Sequence, residues 1–163
     1  MRLAASIVLT VAFVLFQTTF LHAVAFQGVI PDLSLIAVVF IANRNGTVAG
    51  QTVGFAGGLV EDFLSLSPLG FHALLKTLVG FLAGMSFGII FIGSFFMPML
   101  MVGAASVLKN VLAALVMALT SDPAAGSFFS LQTLIETGYN MVLSPFVFAI
   151  LGFIKIIVPK VRE

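Results

Sequence analysis

Long uninterrupted apolar runs dominate the chain: Leu3–Phe26, Leu33–Ala42, Thr47–Val60, Leu69–Ile92, Met97–Leu119 and Leu131–Val158. A barrel would instead show strands of ~10 residues alternating apolar and polar side chains. Backbone groups in hydrocarbon must pair within their own segment or in a closed barrel, so unbroken runs predict helices. About 20 apolar residues cross a bilayer, a length that the first, fourth, fifth and sixth runs reach. The second and third are shorter and are divided only by Asn43-Arg44-Asn45-Gly46. They fit two tilted spans or a re-entrant hairpin shielded by the other helices. Two spans is the preferred reading. It gives an all-α integral membrane protein with six transmembrane helices, in a single polytopic domain covering residues 1–163.

Composition agrees: 61% of the 163 residues are hydrophobic and 8% charged. A soluble domain carries about a quarter charged residues. A net charge of +1 supplies no basic field for nucleic acid. Cysteine is absent, which removes disulfides and thiolate chemistry. Ala23-Val24-Ala25 resembles a signal-peptidase site, but the apolar stretch before it exceeds the ~7–15 residues of a signal core, so an uncleaved first helix is expected.

Six spans put Arg2, Arg44, Lys155, Lys160 and Arg162 on one side, and Asp32, Glu61, Asp62 and Asp122 on the other. Five bases against none over short loops is a positive-inside signal, so both termini are expected to be cytoplasmic. The longest connection, from Thr120 to Ser130, is too short for a soluble catalytic domain.

Glycines recur at four-residue intervals in two runs. Gly46, Gly50, Gly54 and Gly58 lead to Asp62, and His72 and Lys76 lead to Gly80, Gly84 and Gly88. That interval keeps residues on one slowly drifting helix face. Such stripes let backbones approach closely in lipid, between these two helices or against a partner's helix. Gly54 and Gly58 are expected to accept alanine but not leucine.

Ionisable residues form a second pattern. Lys76, Lys109 and Glu136 interrupt apolar spans, with Glu61, Asp62 and His72 at the outer helix ends. Counting from those ends puts Lys76 and Glu136 in the outer third and Lys109 nearer the middle. Intramembrane charges usually pair or face a cavity, so an ion-pair network is expected, either as structural glue or as a partner or small-ligand site. Asp62 and Lys76 are expected to pair across the Ser65–Gly70 connection. His72 alone reads as a hydrogen-bonded boundary residue.

Enzyme signatures are missing. There is no His-Glu-x-x-His pair and no Gly-x-Ser-x-Gly elbow. His22 and His72 have no acids spaced around them for a metal. Gly57-Gly58-Leu59-Val60-Glu61-Asp62 is superficially like an aspartyl intramembrane protease, but the glycine directly before the acid and a second aspartate at matching depth are missing. No catalytic role, metal or cofactor is expected.

Four elements occur in order: Pro31-Asp32-Leu33, then Gly54-Phe55-x-x-Gly58-Leu59-x-x-Asp62, then Ser67-Pro68-Leu69-Gly70-x-x-Ala73-Leu74, then Val79-Gly80-x-x-Ala83-Gly84. Together with length and hydropathy they resemble the MreD family, densely over residues 31–88. His72 replaces a common asparagine, and the extra acid Glu61 blurs which of Glu61 and Asp62 matters. The resemblance implies a non-enzymatic scaffold in the bacterial inner membrane. It would bind an MreC-like bitopic protein and act with RodZ, MreB and the RodA–penicillin-binding-protein synthase in lateral-wall peptidoglycan synthesis. It also implies a fold similar to the S components of energy-coupling-factor transporters, which supplies the alternative, a vitamin-binding subunit. The usual Ala-x-x-x-Ala coupling motif is not made by Ala4, Ala5 and Ala12. The Pro68-Leu69-Gly70 turn, with the flanking helix ends, is the expected partner surface.

Overall fold

The computed structural model describes residues 2–21, 25, 28–65, 67–89, 95–119 and 130–154. The Ala23-Val24-Ala25 site, His22, most of the 120–130 connection and the basic tail after Ile154 lie outside these residues in whole or part. Among the described residues six helices follow in order: α1 (Arg2–Phe20), α2 (Leu33–Asn45), α3 (Thr47–Leu64), α4 (Phe71–Gly84), α5 (Phe96–Leu119) and α6 (Leu131–Phe153). Of these, α1, α5 and α6 are long and apolar enough to cross a membrane.

The architecture is organised around α2. Its residues from Leu33 to Asn43 are all buried, and it touches each of the other five helices. A helix apolar all round has no face to give to water, so it must lie inside the bundle. Thirteen residues make a helix about 20 Å long, short of the hydrocarbon thickness. That is tolerable where protein rather than lipid surrounds both ends. Asp32 starts the helix by accepting the Leu35 N–H at 2.9 Å. Gly46 stops it at φ +88°, a backbone conformation that L side chains rarely adopt.

From Gly46 the chain turns back into α3, and α4 then lies antiparallel against α3. The contact is backbone on backbone. A Cβ built on Gly50 would strike the Gly80 carbonyl, one on Gly54 the Lys76 carbonyl, and one on Gly84 would lie 2.6 Å from Thr47 N. Each four-residue step up α3 is matched by a four-residue step down α4, so both stripes share one interval. The expectation that Gly54 and Gly58 accept alanine is corrected by this geometry. A Cβ on Gly58 would sit 2.6 Å from Ala73 N, and a helix backbone cannot rotate aside as a side chain can.

Two glycines leave the pattern. Gly46 is the α2–α3 turn rather than a position on a helix face. Gly88 lies beyond α4, at φ +76° with nothing within 4 Å of a Cβ. The fourth apolar run is therefore not one long span: α4 ends at Gly84, and Ser86 Oγ donates to the Ala83 carbonyl at 2.6 Å just after it. Gly57, outside the four-residue series, brings α1 close instead, with a Cβ 2.7 Å from Thr10 Cγ2.

Helix α1 turns its buried Ser6, Thr10, Val14 and Gln17 inward. Helix α6 contains Pro145, which cannot donate to the Met141 carbonyl; Ser144 Oγ supplies that carbonyl with a donor at 2.7 Å.

Candidate functional site

The start of α2 is a helix N-terminus buried in the middle of the bundle, where water cannot satisfy its amides. Side chains from two other helices do so. Gln17 Oε1 on α1 accepts the Ser34 N–H at 3.1 Å, and Asn140 Oδ1 on α6 accepts the Asp32 N–H at 2.8 Å. Asn140 in turn donates to Ser106 Oγ on α5 at 3.0 Å. These amides and hydroxyls fix the depth at which Asp32 sits.

Both Asp32 carboxylate oxygens receive a lysine. Lys76 Nζ reaches Oδ1 at 2.8 Å and Lys109 Nζ reaches Oδ2 at 3.1 Å, while Ser34 Oγ donates to Oδ1 at 2.9 Å. Lys76 also pairs with Glu61 and bonds Ser34 Oγ, and Lys109 also pairs with Glu136. The Lys76 side chain is 0% exposed. Two lysines and three acids from the N-cap of α2 and from α3, α4, α5 and α6 thus form one chain of ion pairs, with Asp32 at its centre. A buried lysine without such partners would be severely destabilising.

Asp62 stands apart from that chain, and the expected Asp62–Lys76 pair is corrected. Asp62 Oδ2 accepts the Gly70 N–H at 2.9 Å and the Ala73 N–H at 3.2 Å. Its Oδ1 accepts the His72 N–H at 2.8 Å and lies 2.9 Å from His72 Nδ1. It is therefore the cap of α4. Neighbouring residues on a helix point about 100° apart, so Glu61 reaches Lys76 while Asp62 turns to the next helix end. The Pro68-Leu69-Gly70 turn is held by this carboxylate and by the Phe71 N–H donating to the Pro68 carbonyl at 3.1 Å.

A cavity of about 380 Å³ opens over the network, lined by Gln17, residues 28–32, Glu61, His72, Lys109, Ser130, Gln132, Thr133 and Glu136. A second, apolar groove of about 290 Å³ runs beside the turn, along Ser67, Pro68, Leu69, Gly70, Phe71, Leu74, Val116 and Met117. Among the described residues no group of three or more His, Asp or Glu side chains is arranged to hold a metal ion.

The family model of the rod shape-determining protein MreD matches residues 1–154. The chain belongs to the MreD family. No curated protein and no solved structure matches it. Family membership together with three long apolar helices makes this a rod shape-determining membrane protein.

Of the polar residues singled out in the sequence, Lys76, Lys109 and Glu136 meet in the network, and Asp62 and His72 meet each other beside it. Sequence reasoning placed Asp32 among the loop charges and passed over Gln17, Ser34, Ser106 and Asn140. One signal was available: an aspartate following proline and opening an apolar run is a helix start, and a helix as apolar as α2 buries its start.

Proposed function

We propose that the chain is a non-enzymatic scaffold subunit of the rod-shape complex in the bacterial inner membrane, with six membrane-crossing or membrane-embedded helices. The Asp32 end faces the periplasm and both termini face the cytoplasm. Arg2 and Arg44 support that orientation. Gln17 near the end of α1 meets Ser34 near the start of α2, so α1 and α2 run oppositely and the two arginines share the other end. The partner is an MreC-like bitopic protein, whose transmembrane segment lies along the groove beside Pro68, Leu69 and Gly70. RodZ, MreB and the RodA–penicillin-binding-protein synthase join through it or beside it.

The observation that carries this reading is the clamped turn. Asp62 commits its whole carboxylate to the turn and the α4 start, and Leu69 is left 68% exposed above an apolar groove. A rigid apolar knob at the membrane boundary suits helix-in-groove recognition. The vitamin-binding alternative is less well supported, because the described residues that line the 380 Å³ cavity are mostly polar or charged and include no phenylalanine or tyrosine.

Co-purification of a co-expressed MreC-like protein with the Leu69→Asn variant tests the reading. Partner recovery and rod shape should fall while thermal stability stays within about 0.5 kcal/mol, as for a surface change. Full recovery of partner by Leu69→Asn would remove the groove from the interface. Labelling of single cysteines at positions 44 and 67 with an impermeant reagent tests the orientation; reaction at 44 from outside, with 67 protected, would invert it.

A further inference from the structure

The ionic network does not balance. Asp32, Glu61 and Glu136 face Lys76 and Lys109, and Asp62 is already engaged by three backbone N–H groups and His72. Within that network three carboxylates meet two ammoniums, so one negative charge is left over where an uncompensated charge is costly. The geometry locates it. Both oxygens of Asp32 are on lysines, but Glu61 bonds through Oε2 alone and Glu136 through Oε1 alone. The free oxygens belong to side chains 14% and 19% exposed, and both residues line the cavity. His72 Nε2 lies 3.9 Å from Glu61 Oε1, beyond hydrogen-bond distance.

A second observation is independent of charge. Gln17 lines the same cavity and is 3% exposed; its Oε1 is taken by the Ser34 N–H, and its amide N–H₂ group has no acceptor among the described residues. The Gln17 amide is not a buried orphan but a donor accessible at the cavity wall, and it offers a hydrogen bond to an acceptor on whatever enters.

We propose that this cavity binds one organic cation, the guanidinium or ammonium of a basic side chain on a polypeptide partner. The cation sits between the free oxygens of Glu61 and Glu136, and a backbone carbonyl of the same segment meets the Gln17 amide. Depth favours a side chain over a lipid head group. Asn140, level with Asp32, lies nine residues into α6, so the cavity floor is about 14 Å below the start of that helix. Lysine and arginine reach such depth on apolar stems. An ethanolamine head group would carry its phosphate toward three carboxylates. The absence of a metal-type cluster among the described residues directs the site to an organic cation. The polypeptide source rests on the scaffold reading, whereas recognition of the cation does not, and the test separates the two.

The protein in nanodiscs of phosphatidylcholine and phosphatidylglycerol is titrated with Nα-acetylated L-argininamide, and with Nα-acetylated citrullinamide as its neutral isostere, at constant ionic strength. Argininamide should raise the melting temperature saturably and citrullinamide should not. Glu136→Gln should weaken the apparent affinity about tenfold, through loss of one charge-assisted contact. Gln132→Lys, which places a cation on the cavity wall, should abolish the response without lowering stability, and so serves if Glu136→Gln fails to fold. Equal responses to the two amides, no response, or a response indifferent to both variants overturns the proposal. A response lost when phosphatidylethanolamine is added to the nanodiscs keeps the cation site but overturns the polypeptide source.

Discussion

The α3–α4 and α5–α6 pairs are both antiparallel neighbours, yet they are held by different kinds of contact. Between α3 and α4 the backbones touch: Gly50 meets Gly80, Gly54 meets Lys76, and Gly58 meets His72 and Ala73. Between α5 and α6 the contact is made by side chains. Asn140 bonds Ser106, Lys109 pairs with Glu136, and Met141 Sδ lies 2.9 Å from a Cβ built on Gly103. The first seam is stiff because a backbone cannot move aside. The second can adjust, because a methionine or a lysine has rotamers to spare. The cavity opens on the adjustable side, where Lys109, Glu136, Gln132 and Thr133 line it, while the α3–α4 seam presents the clamped turn.

The largest separation between the two pairs should come from their lysines. Lys76→Met leaves Asp32 and Glu61 short of a buried partner and should cost about 3–5 kcal/mol. Lys109→Met, at 11% side-chain exposure beside the open cavity, should cost clearly less. Thermal unfolding in nanodiscs measures both, and equal losses would mean that the greater exposure of Lys109 gives its acids no relief when it is removed.

Alanine at the glycines sharpens the comparison with a smaller effect. Gly54→Ala should cost about 1–3 kcal/mol through forced separation of backbones. Gly103→Ala should stay within about 1 kcal/mol as Met141 changes rotamer. A well-tolerated Gly54→Ala would show that the α3–α4 seam can breathe after all.

The smallest expected effect is a null. In a double-mutant cycle on stability, Asp62 and Lys76 should couple by less than about 0.5 kcal/mol, while Glu61 and Lys76 should couple by more. Strong Asp62–Lys76 coupling would merge the cap of α4 with the ionic network and erase the distinction between clamp and cavity.

What depends on composition and backbone is legible along the chain. Long apolar runs without period-2 alternation made the protein helical and membrane-bound, because lipid satisfies no backbone group. The four-residue glycine interval marked the α3–α4 seam, because only glycine permits that approach and it leaves a visible period. The four short motifs between residues 31 and 88 pointed to the family whose model spans residues 1–154. Pairing among side chains was decided by the tertiary structure alone. Glu61 and Asp62 are adjacent in the chain, and only the azimuth of α3 sends one to Lys76 and the other to the α4 amides. Asp32 looked like a loop charge because the local pattern, which marks a helix start and hints at its burial, does not say which lysines meet it there. The end of α4 at Gly84 was likewise invisible in a run that stays apolar to Ile92. Flexible stems of several bonds let Lys76 and Lys109 reach carboxylates on any of several helices, so spacing along the chain carries almost no information about which ones they meet.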